Sequence, residues 1–327
     1  MDLVGTPAAL RRWAVASLLA NMGIVVTGGL VRVTGSGLGC PTWPQCTPGS
    51  YVPHAAADAH ALIEFGNRTL TFVLAAIAIG TFVAARRARD AAGRPRRRVR
   101  GLAFAAGLGI PAQAVLGGIT VLTGLNPWVV GLHLVPSVAL IVVCVVLVHE
   151  TWPVPPARVR PRARLLVRAA AALGAVAVLL GVAVTGAGPN SGDGGAARNG
   201  LDLTGIARIH SLSVWAVVIL TVALLVVATG RARRAVALLL GVELAQGAIG
   251  YAQYFLALPP ALVTLHMLGT TLFTAALANL WWLTRGSAED QRVDGGGDEH
   301  DRQVAVGEVE QPHGLERGVQ QAPAGPQ

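Results

Sequence analysis

Eight stretches of apolar sequence, near residues 13–31, 61–84, 101–122, 129–148, 165–187, 205–229, 235–256 and 262–284, alternate with short polar connections. Each is close to the ~20 residues a helix needs to cross ~30 Å of hydrocarbon. In that solvent every backbone polar group must be bonded within the chain, so the expectation is an all-α integral membrane protein with eight transmembrane helices. Composition agrees: of 327 residues 53% are hydrophobic and 13% charged, with mean hydropathy +0.56, too little charge to cover a soluble domain of this size. A cleaved or twin-arginine signal is the alternative for the first segment, where Arg11-Arg12 precede Trp13. The segment is long for a signal and has no convincing small-residue cleavage site.

All 26 basic residues are arginine. Outside the tail most of them, 18 of 23, fall in runs between apolar segments: Arg11-Arg12, RRARDAAGRPRRRVR at 86–100, RVRPRARLLVR at 158–168 and RARR at 231–234. The positive-inside rule places these runs in the cytoplasm, and both termini with them. The basic excess is thus a topology signal; lipid is the expected partner, and nucleic acid is not. Residues 286–327 carry nine acids and three arginines without apolar periodicity and are expected to be disordered.

Advancing 133 positions takes Gln113 to Gln246, Gly117 to Gly250, Pro127 to Pro260 and His133 to His266. A looser match takes Thr27-Gly28 to Thr185-Gly186. The chain reads as two parallel copies of a four-helix unit: residues 1–157, with an outer loop at 32–58, then 158–285, each a four-helix bundle of one pseudo-symmetric pair, and the tail 286–327.

His60, His133, His210 and His266 stand near the outer ends of the even-numbered spans. Polar side chains within a membrane usually face the bundle interior and mark function; the bland reading is a hydrogen-bonded core histidine. Inward-facing histidines on neighbouring helices can hold haem iron from both sides, whereas hydrolytic zinc would want carboxylate or cysteine nearby. His210 with His266 is the better pair, with Arg208 at the same level as a partner for a haem propionate or as a plain interfacial anchor. Glu64, Asn67 and Arg68 share one helical face. Either Glu64 and Arg68 neutralise each other as a structural ion pair, or Glu64 is a carboxylate in a dry pocket suited to proton transfer or to stabilising positive charge. Cys40 and Cys46, in C-P-T-W-P-Q-C, are compatible with a disulfide in an extracytoplasmic loop, as a structural staple or as a redox-active pair. Cys144 reads as packing, Gln113 and Gln246 as interhelical hydrogen bonds, and Glu243 as a partner of Arg231 or Arg234.

On TGGLVRVTGSGLGCPTWPQC at 27–46, IEFGNR at 63–68, the histidine pattern and the duplicated unit, the sequence resembles the haem A synthase family over residues 13–284. The short cysteine loop and arginine-only basic usage make it similar to bacterial, actinobacterial members. The resemblance implies a membrane oxidoreductase that oxidises a methyl group of haem O to the formyl group of haem A for cytochrome oxidase assembly. It further implies haem b on His210 and His266, substrate haem iron on His133 beside Asn67, Arg68 and His60, and Glu64 as the catalytic acid. The implied location is the bacterial cell membrane, with haem O synthase and cytochrome oxidase assembly factors as partners; a homo-oligomer is left open. The family pattern E-x-x-H-R is here Glu64-Phe65-Gly66-Asn67-Arg68. So either His133 holds its haem with the sixth position open, or the helix bends to bring in His60. A b-type electron-transfer protein linked to quinol is the alternative within the same chemistry, and a transporter the alternative outside it.

Overall fold

In the computed structural model, described for residues 5–54, 58–152 and 154–286, the chain forms eight helices. They are α1 (Pro7–Val33), α2 (Ala59–Arg87), α3 (Arg97–Leu122), α4 (Pro127–Thr151), α5 (Pro161–Ala187), α6 (Leu203–Val227), α7 (Gly230–Phe255) and α8 (Pro260–Leu283). All eight are long and apolar enough to cross a membrane, and no β-sheet occurs among the described residues. The chain is therefore a multi-pass helical membrane protein. The tail expected to be disordered lies, from residue 287 on, outside the described residues.

The helices reach beyond the expected spans mainly at the arginine-bearing ends: α2 continues through Arg86 and Arg87, and α3 already begins at Arg97. Arginine is a good helix former, and its aliphatic stem lies along apolar surface while the guanidinium reaches water. Charge therefore marks the membrane boundary without ending the helix. Starts follow capping chemistry. Side-chain oxygens of Thr6, Asp58, Asn126 and Asp202 accept from the N–H groups of Ala9 (3.1 Å), Ala61 (2.9 Å), Trp128 (3.0 Å) and Gly205 (2.6 Å), satisfying donors the first turn leaves free. Proline opens α1, α4, α5 and α8, where a missing N–H does no harm.

Helices α1 to α4 pack in a ring, α1 on α2 and α4, α3 on α2 and α4; α5 to α8 do the same. The halves meet where α8 packs on α1 and α4, and α4 on α5. The 133-residue repeat is visible in the backbone. Left-handed pairs follow both α3 and α7: Gly124 and Leu125 at φ 60° and 58°, Ala257 and Leu258 at φ 59° and 61°. Leu125 N–H donates to Thr120 O at 2.8 Å and Leu258 N–H to Gln253 O at 2.7 Å. A leucine in that region is uncommon, so its recurrence at one offset marks a duplicated turn.

Two apolar clusters close the bundles toward the arginine-rich end, one around Leu10, Val99 and Leu147, the other around Val167, Leu224 and Leu280. A third, of Met22, Val25 and Ile141 with Met267 against it, joins the two halves. The opposite end of the bundles, where the even-numbered helices begin, carries the polar groups.

Candidate functional site

Glu64 lies in the second turn of α2 and is 5% exposed. Its Oε1 accepts from Arg68 Nε at 3.1 Å and Nη2 at 2.5 Å, the i,i+4 pair that one helical face makes. Its Oε2 accepts from the backbone N–H of Cys40 at 2.7 Å. Three hydrogen bonds thus converge on the carboxylate, and the Gly39 backbone N–H stands close to it as well. The ion pair weighed from the sequence is formed, and it is tied to the loop above it.

That loop is held from both sides. Cys40 and Cys46 are joined by a disulfide and are buried. Beyond Glu64, Arg68 donates to the carbonyls of Cys40 (2.8 Å), Thr42 (3.0 Å) and Gln45 (3.2 Å). Trp43 rests on α3 at Gly118, where any Cβ would overlap the indole. Arg32, at the end of α1, donates to the carbonyls of Asn190 at 2.5 Å and Thr185 at 2.8 Å, tying the same end of the first half to the second. Because Arg68 is the post on which the loop hangs, Arg68→Ala is expected to speed reduction of the Cys40–Cys46 disulfide by added thiol at least about tenfold, the worth of one of its three loop bonds. Charged hydrogen bonds are each worth about 1.5–3 kcal/mol, and ~1.4 kcal/mol is tenfold in local opening. Alkylation of the released thiols over time measures it, and an unchanged rate would show that the disulfide alone shapes the loop.

The histidines occupy repeated settings. Gln113 Nε2 donates to His133 O at 3.2 Å and to Ser137 Oγ. Gln246 Nε2 donates to His266 O at 3.1 Å and to Thr270 Oγ1 at 3.4 Å. Both glutamines thus make the interhelical bonds expected, α3 to α4 and α7 to α8. Each ring faces a glycine: a Cβ on Gly117 would lie 3.4 Å from His133 Cε1, one on Gly250 3.4 Å from His266 Cε1, and one on Gly181 3.2 Å from His210 Cε1. His210 Nδ1 lies 2.9 Å from Ala177 O, the backbone anchor that fixes ring orientation in metal-ligating histidines. Nδ1 of both His133 and His266 is buried without a hydrogen-bond partner.

A profile of the COX15-CtaA family, described as cytochrome oxidase assembly protein, matches residues 11–189, more than half the chain. The chain belongs to the COX15-CtaA family. Similar proteins named heme A synthase include those of Lysinibacillus sphaericus (strain C3-41), 35% identical over 126 residues, and Listeria welshimeri serovar 6b, 32% over 125 residues. Both alignments take in 38% of this chain and 39% of the relative. That of Methylobacterium sp. (strain 4-46) is 32% identical over 143 residues, 39% of this chain and 38% of the relative. The matches thus span about two fifths of the relatives' length. The COX15-CtaA match takes in Glu64, the disulfide loop and His133, and ends before His210.

In this COX15-CtaA member three of the four histidines stand level and one does not. His133, His210 and His266 lie six to seven residues inside their helices, about 9–11 Å from the start at 1.5 Å per residue. His60 is the second residue of α2 and is exposed, with Nδ1 3.1 Å from Ser36 Oγ. The polar, uncharged residue of α2 nearest that level is Asn67, eight residues inside, whose Oδ1 is buried without a hydrogen-bond partner. The expected pairing of Glu243 with Arg231 or Arg234 is corrected. Glu243 is buried and bonded to Thr221 Oγ1 at 2.9 Å, and Arg231 donates to Pro155 O. Arg208 is exposed on α6. Cys144 is buried and free, with Asn21 Nδ2 3.6 Å from its sulfur. Two features carried no sequence signal of their own, the Cys40 N–H on Glu64 and Trp43 on Gly118.

Proposed function

We propose that the chain is a haem A synthase, oxidising a ring methyl group of haem O to the formyl group of haem A. The observation that carries this reading is the asymmetry of a duplicated site. Both halves present a histidine backed by a glutamine and a glycine, and only the first adds a buried carboxylate fixed under a disulfide loop. Electron transfer alone needs no such group.

The residues fit a haem in each half: unpartnered buried Nδ1 atoms on His133 and His266, an anchored ring at His210, and ring faces against glycine. His210 and His266 would hold haem b, which when bound supplies one-electron transfer. In the first half, residues 1–157 on this division, His133 would ligate the iron of the substrate, and on α2 Asn67, not His60, lies nearest in depth. The first hydroxylation consumes water and releases two protons and two electrons, R–CH3 + H2O → R–CH2OH + 2 H+ + 2 e−. The second gives R–CHO from R–CH2OH with the same release. Glu64 accepts a proton, and Arg68 and the Cys40 N–H hold the carboxylate in place. The disulfide loop excludes water from above, and Arg208 meets a propionate. Electrons leave through residues 158–285 to an external acceptor, for which a lipid-soluble quinone is the class a membrane-embedded chain meets directly.

The arginine distribution supports a cytoplasmic side for both termini in a bacterial cell membrane, and the disulfide supports an oxidising compartment for the histidine end. Haem O synthase as supplier and cytochrome oxidase assembly factors as recipients are the partners this role requires.

The test is to express the chain with a haem O source, purify it in detergent, and identify the extracted haems by chromatography and mass. Haem B with haem A or its hydroxymethyl precursor is the expected result. Haem B alone, with haem O supply verified, would favour an electron-transfer protein, and no haem at all would return a transporter to first place.

A further inference from the structure

Glu243 is a buried carboxyl group for which the proposed chemistry has no use. It lies thirteen residues into α7, roughly 20 Å from the arginine-rich end, and is 3% exposed. One oxygen accepts from Thr221 Oγ1 of α6 at 2.9 Å, and Oε2 is buried with no partner. The titratable or charged residues on the two helices packed against α7 are Arg208 and His210 on α6 and His266 on α8; on α7 itself they are Arg231, Arg233, Arg234, Tyr251 and Tyr254. None of them hydrogen-bonds or ion-pairs with Glu243 among the described residues.

Two observations direct this group toward the second-half histidines. Glu243, Gln246 and Gly250 share one face of α7, at i, i+3 and i+7. That face meets α8 at His266, through Gln246 Nε2 on its carbonyl at 3.1 Å and Gly250 against its ring. The carboxyl is thus about 10 Å along the helix from the level of the imidazole. Moreover, the fold does not need an acid there. In the duplicated unit the matching position, 133 residues earlier, is Ile110, which is buried in α3. A carboxylate without a counter-charge in the membrane interior is held at high energy, so its protonation responds to any charge change nearby.

We propose that Glu243 takes up a proton when the haem held by His210 and His266 is reduced, and returns it when that haem is reoxidised. This rests on the haem b reading above. The electron comes from oxidation of the substrate methyl and leaves to the external acceptor; the proton comes from and returns to water, so each cycle balances at one electron and one proton. Added negative charge favours the neutral carboxyl, and by linkage the carboxyl's protonation favours reduction equally. The midpoint potential therefore falls as pH rises, by up to about 59 mV per tenfold change in proton concentration for a one-electron couple.

Optical redox titration of the purified full chain with its bound haem b, between pH 6 and pH 9, tests this against Glu243→Gln. The expected result is a falling midpoint in the unaltered chain, a flat or much shallower line in the variant, and the same b-type absorption in both. Equal slopes, or a flat line in the unaltered chain, would overturn the assignment. Infrared difference spectra of the unaltered chain, reduced minus oxidised, should gain a protonated-carboxyl C=O band, a change a purely structural glutamate would not make. If that band is missing, the proton goes elsewhere and Glu243 is not its acceptor. Absence of bound haem in the unaltered chain would overturn the haem reading and the inference together, whereas haem with a pH-independent potential overturns the inference alone.

Discussion

Glu64→Gln is expected to lower conversion of haem O about 10²- to 10⁴-fold, the range for loss of a positioned acid–base group, while the purified chain keeps its b-type absorption. The two effects separate because Glu64 belongs to α2, and the haem b ligands proposed above belong to α6 and α8. Glutamine is the cleaner substitution. Its amide oxygen can still accept from Cys40 N–H, and Arg68 keeps the carbonyls of Cys40, Thr42 and Gln45. Glu64→Ala also leaves Arg68 without its carboxylate. Breaking a fully buried ion pair costs about 3–5 kcal/mol; here the loss is smaller, because the Arg68 side chain is 23% exposed and retains those three acceptors. Product analysis with a fixed haem O supply reads the effect. Conversion within a few-fold of the unaltered chain would leave Glu64 as the anchor of the disulfide loop and nothing more.

How far such roles can be read without coordinates depends on whether the group acts through its side chain or through the backbone around it. The eight spans, the paired glutamines and the disulfide loop follow from hydropathy, from an exact repeat and from cysteine spacing, all of which are properties of side-chain order. Depth was legible too, by counting. His60 lies seven residues before Asn67, two turns nearer the end, and 1.5 Å per residue puts Asn67 within about 3 Å of the depth of the three histidines. The same counting excludes the pairing expected for Glu243: Arg234 is nine residues away, about 900° of helical turn, hence on the opposite face, and Arg231 is twelve away, about 18 Å along the axis. By contrast, nothing in C-P-T-W-P-Q-C announces that the Cys40 N–H will close on a carboxylate 24 residues later. That contact exists because Arg68 gathers three loop carbonyls around itself, and backbone acceptors look alike in every sequence.

His266→Ala is the second large effect: the purified chain should lose its b-type absorption and most of its extractable haem B. The expectation comes from the setting of the ring. His266 is fixed by its helix against Gly250, with Nδ1 buried and unpartnered, while Gln246 and Thr270 brace the backbone of its own turn. Alanine removes the proposed ligand and leaves those braces intact, so loss of haem would report ligation and not collapse of the α7–α8 pair. A second variant makes the distinction sharper. Methionine is itself an axial ligand that raises haem potentials, so His266→Met should retain haem B with a shifted spectrum and a higher midpoint potential. His133→Ala should show the converse pattern, keeping haem B and losing the substrate-derived haems, because its ring lies in the other half, on α4. Unchanged haem B content in His266→Ala would move the bound haem away from the α6–α8 pair, and would leave the duplicated glutamine–histidine–glycine setting as a packing device common to both bundles.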